Sequence, residues 1–269
     1  MTAKLRFGLN HMVCPSLTPM QVLDAAASIG IDAVELRNDV GENSITDLET
    51  AKAVGAKAKE LGIEIRSINA LYPFNVWNEE REAQAEKLAQ LAQACGATGL
   101  VSCPLNDGSE VDRAGLEAAL TGLDKVLSKY DLKGFIEPLG FPISSLRLKA
   151  EALAAIDATG TADRFSLVHD TFHHRGAGET GLFPARTGLV HVSGLEDSEI
   201  TFNDMLDGHR VFVGPNDRLG NVDQLKALLE QGYDDLVSFE PFAEEVWNLE
   251  DPIAALKESM DYIQASLNA

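Results

Sequence analysis

Cysteine is scarce in this chain. Cys14, Cys95 and Cys103 are the only three, and their spacing matches no zinc motif. An odd number without paired spacing argues against a disulfide scaffold and fits reduced thiols in a cytoplasmic protein. Basic residues are scarce too: 22 Lys and Arg face 42 Asp and Glu, for a net charge of −20. Such a surface repels phosphate backbones and anionic lipid, so nucleic acid and membrane are poor partners. No apolar run approaches the roughly 18 residues a membrane span needs, and Met1–Asn10 lacks the apolar core of a signal peptide. Also missing are a Gly-x-Gly-x-x-Gly after the first apolar run, a Gly-x-x-x-x-Gly-Lys-Ser/Thr loop and a nucleophile elbow. Nucleotide binding, hydride transfer and covalent acyl chemistry lose support accordingly.

What is present suffices for a large core: 269 residues, 45% hydrophobic and 24% charged. That length exceeds a typical domain of roughly 100–200 residues, but α/β barrels run to about 250 as one unit. Short apolar runs alternate with longer amphipathic stretches. The runs are Leu5–Asn10, Ala33–Arg37, Ile63–Asn69, Gly99–Ser102, Gly134–Glu137, Phe165–Asp170, Leu189–His191 and Leu236–Glu240. Apolar spacing of i, i+3, i+4 marks helices over Thr18–Ile29, Asp47–Leu61, Glu79–Gly96, Asp112–Tyr130, Leu146–Thr159, Val222–Gln231 and Asp251–Leu267. Thr18 before Pro19, Thr46 before Asp47, Asn78 before Glu79 and Asn221 before Val222 are start signals. Gly30, Gly62, Gly96, Gly160 and Gly232 fall where helices should stop. Between the sixth and seventh strands only a weak, glycine-rich helix over Gly176–Arg186 is expected. This repeat predicts an α/β fold, a single (β/α)8 TIM barrel over residues 1–269, with an open doubly wound sheet as the alternative. The irregular stretch Gly194–Gly220 is too long for an idle connection and reads as an active-site loop.

Four polar residues end four consecutive runs: Glu137, Asp170, His191 and Glu240. A carboxylate closing a buried apolar run needs something to neutralise it. In a barrel these positions share the catalytic rim. Any one of them alone is more often a loop hydrogen-bonder, a cap or a core histidine. Two Glu, one Asp and one His together form an oxygen–nitrogen set for one divalent ion. His173, three residues beyond Asp170, can face the same mouth as a substrate contact, an orienter or a proton carrier. His174 points elsewhere, and His169 faces the helix layer. Arg37 is a candidate donor to substrate, with an ion pair to Glu35 or Asp39 as its competing role. Asn69 is a candidate substrate contact and precedes a loop whose Tyr72, Phe74 and Trp77 either wall a ring-shaped substrate or pack the loop. Arg210 and Arg218 are candidate anion binders within Gly194–Gly220. Two glutamates around an ion suit proton abstraction beside a carbonyl: Glu137 and Glu240 would act as acid and base, one removing the α-proton and the other returning it.

The barrel with strand-end Glu137, Asp170, His191 and Glu240 resembles the xylose-isomerase-like superfamily of sugar isomerases, epimerases and endonuclease IV. Local strings look closer to inosose (2-keto-myo-inositol) isomerases of inositol catabolism. These are Val34-Glu-Leu-Arg37, Asn69-Ala-Leu71, Glu137-Pro-Leu-Gly-Phe-Pro142, Asp170-Thr-Phe-His173, His191-Val-Ser-Gly-Leu-Glu-Asp197, Asp207-Gly-His-Arg-Val211 and Ser238-Phe-Glu-Pro-Phe242. The resemblance implies that Glu137, Asp170, His191 and Glu240 hold one divalent ion, Mn²⁺ or Zn²⁺, and that His173 is an active-site partner. It also implies interconversion of 2-keto-myo-inositol and 1-keto-D-chiro-inositol through an enediol. Ser193-Gly194 stands where the family usually carries an acidic pair, and the loop after Val211 departs from its proline-glycine-x-glycine pattern; both touch substrate choice more than mechanism. The endonuclease branch is disfavoured, because no histidine lies between His11 and His169 to build a trinuclear site. Other readings are a ketose epimerase, a hydroxypyruvate-type isomerase, an inosose or dehydroshikimate dehydratase and a non-catalytic sugar-binding barrel. The expected partner is a small polyol ketone, with self-association into a homo-oligomer left open.

Overall fold

The computed structural model describes residues 4–269, so residues 1–3 of the expected unit lie outside the described residues. Within it, eight parallel strands follow one another in sequence order: β1 (Arg6–Asn10), β2 (Ala33–Arg37), β3 (Glu64–Leu71), β4 (Gly99–Ser102), β5 (Lys133–Ile136), β6 (Phe165–Asp170), β7 (Thr187–Val192) and β8 (Leu236–Phe239). β8 returns to β1, with Arg6 beside Leu236 and Leu9 beside Phe239. That pairing closes the barrel and decides between it and an open sheet.

The helices are α1 (Pro19–Ser28), α2 (Leu48–Leu61), α3 (Glu79–Cys95), α4 (Arg113–Lys129), α5 (Lys149–Thr159), α6 (Thr171–Ala177), α7 (Asn221–Glu230), α8 (Glu244–Trp247) and α9 (Pro252–Leu267). Their starts follow local chemistry. Thr18 and Gln21 form a reciprocal capping box at α1. Asp47, Asn78, Asp112 and Asp251 each accept an N–H from three residues further on. Each such cap contributes about 1 kcal/mol by satisfying an otherwise orphaned donor. Asp47 rather than Thr46 caps α2, and Gly220 precedes α7, which starts at Asn221. One face of each helix then packs on the barrel, as in α4, where Leu116, Leu120, Leu123 and Leu127 are buried. No described helix is long and apolar enough to cross a membrane.

Inside the barrel two layers differ. Ala33, Val101, Phe135, Val168, Leu189 and Leu236 form an apolar plug of their own. Below it, Arg66 donates to Glu64 and Asp235 and closes the end where the strands begin. The opposite end, where the strands finish, is polar and buried. The connection from β6 to β7 corrects the sequence reading. Its helix is α6, which starts immediately after Asp170 and stops at Gly178 in a left-handed conformation (φ 65°), while Pro184–Arg186 forms only a 3-10 turn. The cause is Asp170, whose Oδ1 accepts the His173 N–H at 2.9 Å and caps the helix.

Candidate metal centre

Glu137 follows β5, its N–H donating to the Ser102 carbonyl, and Glu240 follows β8, its N–H donating to the Val192 carbonyl. Asp170 ends β6 and lies in register beside His191 of β7. Ligand atoms of Glu137, Asp170, His191 and Glu240 all come within 4.8 Å of one another, and all four residues are buried. His191 Nδ1 is 3.1 Å from Glu137 Oε1 and 3.3 Å from Glu240 Oε2. Three converging carboxylates and one imidazole nitrogen are a donor set for a hard or borderline divalent cation, so the residues present fit Mn²⁺ or Zn²⁺.

So many buried carboxylates require compensation. Arg210 Nη2 donates to Asp170 Oδ2 (2.5 Å) and Glu240 Oε2 (3.0 Å), and its Nε donates to Ser193 Oγ (3.0 Å). Arg37 Nη1 donates to Glu240 Oε1 at 2.7 Å, while its Nε and Nη2 grip both oxygens of Asp39 at 2.7 Å. Both guanidinium groups lie over Phe242. Burial by itself would push the Glu240 carboxyl upward; His191, Arg210 and Arg37 outweigh it and hold that carboxyl well below the usual range. Burial likewise opposes charge on His191, yet Glu240, Glu35 and Glu137 raise it well above an ordinary histidine. Burial, reinforced by Glu137 and Glu240, pushes the Cys103 thiol up, so it stays protonated and donates to Glu137 Oε2 at 3.4 Å.

A cavity of about 290 Å³ opens onto these groups, lined among others by Arg37, Asn69, Tyr72, Glu137, Phe141, His173, Arg210 and Glu240. His173 is held edge-on by Phe141 and Phe172, with ring centroids 5.0 and 5.4 Å away, and its Nδ1 has no protein partner. That leaves it as a candidate contact for substrate. Arg37 pairs with Asp39 and Glu240, not with Glu35. Asn69 reaches the cavity, but its Nδ2 is committed to Glu35 Oε2 and Ser67 Oγ. Arg210 reaches the mouth, although as a clamp on the Asp170 and Glu240 carboxylates rather than a free anion receptor. Arg218 donates to the Asp197 and Ile200 carbonyls and pins the loop. His169 does face the helix layer, held between Lys149 and Gln224.

Trp77 is misplaced by the sequence reading. Its indole presses on Gly122 of α4, where a Cβ would stand 2.2 Å from the ring. It borders a separate groove of about 1020 Å³ that contains none of the four ligand residues. Phe74 is wholly buried, so of the three loop aromatics only Tyr72 reaches the mouth. Trp77→Ala is therefore expected to destabilise the fold without changing KM. The loss should fall near the lower end of the roughly 3–5 kcal/mol typical of core Trp→Ala changes, because the ring is half-buried. Urea unfolding beside steady-state kinetics checks both halves of that expectation.

Glu35 was passed over as a site residue. It is fully buried and contacts His191 Nε2 with both oxygens, at 3.0 and 3.2 Å. The available signal was its parity: Glu35 and Arg37 alternate with apolar Val34 and Leu36, which puts two charged side chains on the inward face of β2. Gly140 matters for another reason. A Cβ there would stand 2.1 Å from the His173 carbonyl oxygen, so the loop after Glu137 passes directly over α6. Gly140→Ala is expected to cost about 1–3 kcal/mol by overpacking. Displacing His173 and its Asp170 cap by about 1 Å should also lower kcat/KM up to ~10²-fold. Chemical denaturation and turnover would measure the two effects.

Residues 23–266 match the xylose isomerase-like TIM barrel family. An inosose isomerase of Bacillus velezensis is 28% identical over 216 residues, covering 73% of this chain and 74% of its own. The crystal structure of a xylose isomerase domain containing protein from Salmonella typhimurium LT2 superposes with a TM-score of 0.90 at 32% identity, covering 100% of this chain and 99% of that one. The IOLI protein, solved with a bound zinc atom, gives 0.83 at 19% identity over 97% of this chain and 98% of its own, a likeness of fold alone. With nearly the whole barrel matched in sequence and in structure, the chain belongs to the xylose isomerase-like TIM barrel family.

Proposed function

We propose that this protein is a divalent-metal-dependent isomerase of an uncharged cyclic keto-polyol, interconverting 2-keto-myo-inositol and 1-keto-D-chiro-inositol. The observation that carries the reading is the placement of two glutamates, Glu137 and Glu240, about one buried His–Asp pair at the mouth of a small cavity. A family relative bearing the name inosose isomerase supports it. Glu137, Asp170, His191 and Glu240 would hold the ion, which when bound would polarise a ketone and make the neighbouring C–H more acidic. One glutamate removes that proton and the other delivers a proton to the former carbonyl carbon, while the neighbouring hydroxyl proton passes to the former carbonyl oxygen, so the carbonyl moves by one position through an enediol. Phe141 and Phe172 hold His173 as a hydrogen-bonding contact for a substrate hydroxyl. The apolar ring edges beside it limit the water that reaches the reacting carbons.

Charge favours a neutral substrate over the acidic ones handled by hydroxypyruvate-type isomerases or dehydroshikimate dehydratases. Arg37 and Arg210 are both engaged with carboxylates, and Asp39 and Asp207 add negative charge to the cavity wall. No lysine lines it among the described residues. Setting like charges against one another in such a site costs several kcal/mol. Hydroxypyruvate should therefore show kcat/KM at least ~10²-fold below that of the keto-inositol, since each 1.4 kcal/mol is about tenfold.

The decisive experiment follows solvent exchange by NMR in D₂O on metal-replete and EDTA-treated protein offered 2-keto-myo-inositol. Deuterium incorporation with a new keto-inositol, abolished by EDTA and restored by Mn²⁺ or Zn²⁺, is the expected result. Exchange without that product would redirect the search to a ketose epimerase. No exchange with any polyol ketone would defeat the catalytic reading in favour of a binding barrel.

A further inference from the structure

Resting on the metal-centre reading above, we propose that Glu35, which donates no ligand atom to the ion, is the residue that positions His191 to receive it. Glu35 sits inside the barrel on β2 and is wholly inaccessible to solvent. A buried carboxylate persists only where its lone pairs are used, and here all its neighbours donate. Oε1 accepts from Asn10 Nδ2 (3.3 Å) and His191 Nε2 (3.0 Å). Oε2 accepts from Ser67 Oγ (2.6 Å) and Asn69 Nδ2 (3.0 Å), with His191 Nε2 also at 3.2 Å. Three side chains from two strands, β1 and β3, thus hold the carboxylate in place, and the carboxylate holds the imidazole.

The consequence lies at the other ring nitrogen. An acceptor-only partner keeps the proton on Nε2, which leaves Nδ1 as the nitrogen turned toward Glu137 and Glu240. The proton on Nδ1 is the one an ion would displace; the imidazole would then offer the Nδ1 lone pair among the three carboxylates while still donating from Nε2 to Glu35. Asn10 links the two shells further, because the Nδ2 that donates to Glu35 also lies 3.2 Å from Glu240 Oε1. Asn69, read from the sequence as a substrate contact, instead belongs to this support.

Substitution separates positioning from simple packing. Glu35→Gln preserves shape, but its amide would set an N–H against the Asn69 amide donor on one side or against the Asn10 and His191 donors on the other. Glu35→Ala removes the support altogether. The Kd of wild type and both variants for Mn²⁺ would be measured by competition with a chromophoric chelator, with far-UV circular dichroism confirming the fold. The absorption spectrum of the Co²⁺-loaded proteins reports ligand geometry independently of activity. The expected result is a 10–100-fold rise in Kd for both variants with an altered Co²⁺ spectrum. If Glu35→Ala does not fold, the isosteric Glu35→Gln carries the test alone. Folded variants whose Kd stays within about twofold of wild type, with an unchanged Co²⁺ spectrum, would overturn the assignment to Glu35. Wild-type protein that binds neither Mn²⁺ nor Co²⁺ would instead overturn the metal centre on which it rests.

Discussion

Glu137→Gln and Glu240→Gln are each expected to lower kcat by at least ~10²–10⁴-fold with the fold intact, the range that loss of one acid–base group produces. An amide cannot exchange a proton at the working pH, and it replaces an anionic ligand by a neutral one, so metal loss should deepen the effect. The two variants should differ in how they fail. Glu240 is held from both sides, by Arg37 on Oε1 and Arg210 on Oε2, whereas the hydrogen bonds of the Glu137 carboxylate among the described residues are to His191 and the Cys103 thiol. Glu240→Gln turns an N–H toward one of those arginines and disturbs the clamp as well as the chemistry. Glu137→Gln leaves the clamp alone. Turnover measured at saturating Mn²⁺, with bound metal quantified on the same samples, separates loss of proton transfer from loss of the ion. A metal-loaded variant within tenfold of wild type would sink the role assigned to that glutamate.

Arg210→Met should destabilise the metal-free protein by about 3–5 kcal/mol, the cost of removing one partner from a buried ion pair. Arg210 is 1% exposed and its Nη2 lies between Asp170 and Glu240, so the substitution strands two buried carboxylates rather than one. Methionine fills much of the same volume, which keeps the cavity contribution small. Saturating divalent metal should recover part of the loss, because the ion supplies positive charge to the same two oxygen ligands and binds only the folded state. Urea unfolding in EDTA and in Mn²⁺ tests this directly. Equal destabilisation in both conditions would show that Arg210 acts by packing on Phe172 and Phe242 and not by charge.

Some of this arrangement could be read along the chain, and the residues show why. Glu137, Asp170, His191 and Glu240 were legible because each interrupts or ends a run of buried apolar residues, a local contrast that needs no knowledge of distant neighbours. Thr18 and Asn78 were legible as caps for the same reason, since such a side chain satisfies a donor only three residues away, whereas the Thr46 and Asn221 signals each fell one residue from the true cap. Trp77 was not, because an aromatic after a strand either faces the mouth or packs a helix, and Gly122, which receives it, lies 45 positions further along. Arg210 was identified as a site residue but for the wrong partner: the carboxylates it clamps come from β6 and from beyond β8. The helix after Asp170 was misplaced because one side chain does two jobs, capping α6 through Oδ1 and pairing with Arg210 at the candidate metal centre through Oδ2.

By itself, then, the sequence determined the alternation of eight strands with helices, their stops and caps, and the four polar strand ends, because all of these arise from periodicity and short-range hydrogen bonding. Tertiary structure alone decided that β8 pairs with β1, that Arg37 and Arg210 neutralise carboxylates instead of awaiting an anion, and that Glu35 stands behind His191. These contacts join residues as many as 230 positions apart, as Asn10 and Glu240 are. Which charge meets which in a buried site depends on barrel register, and register is set only when the ring closes.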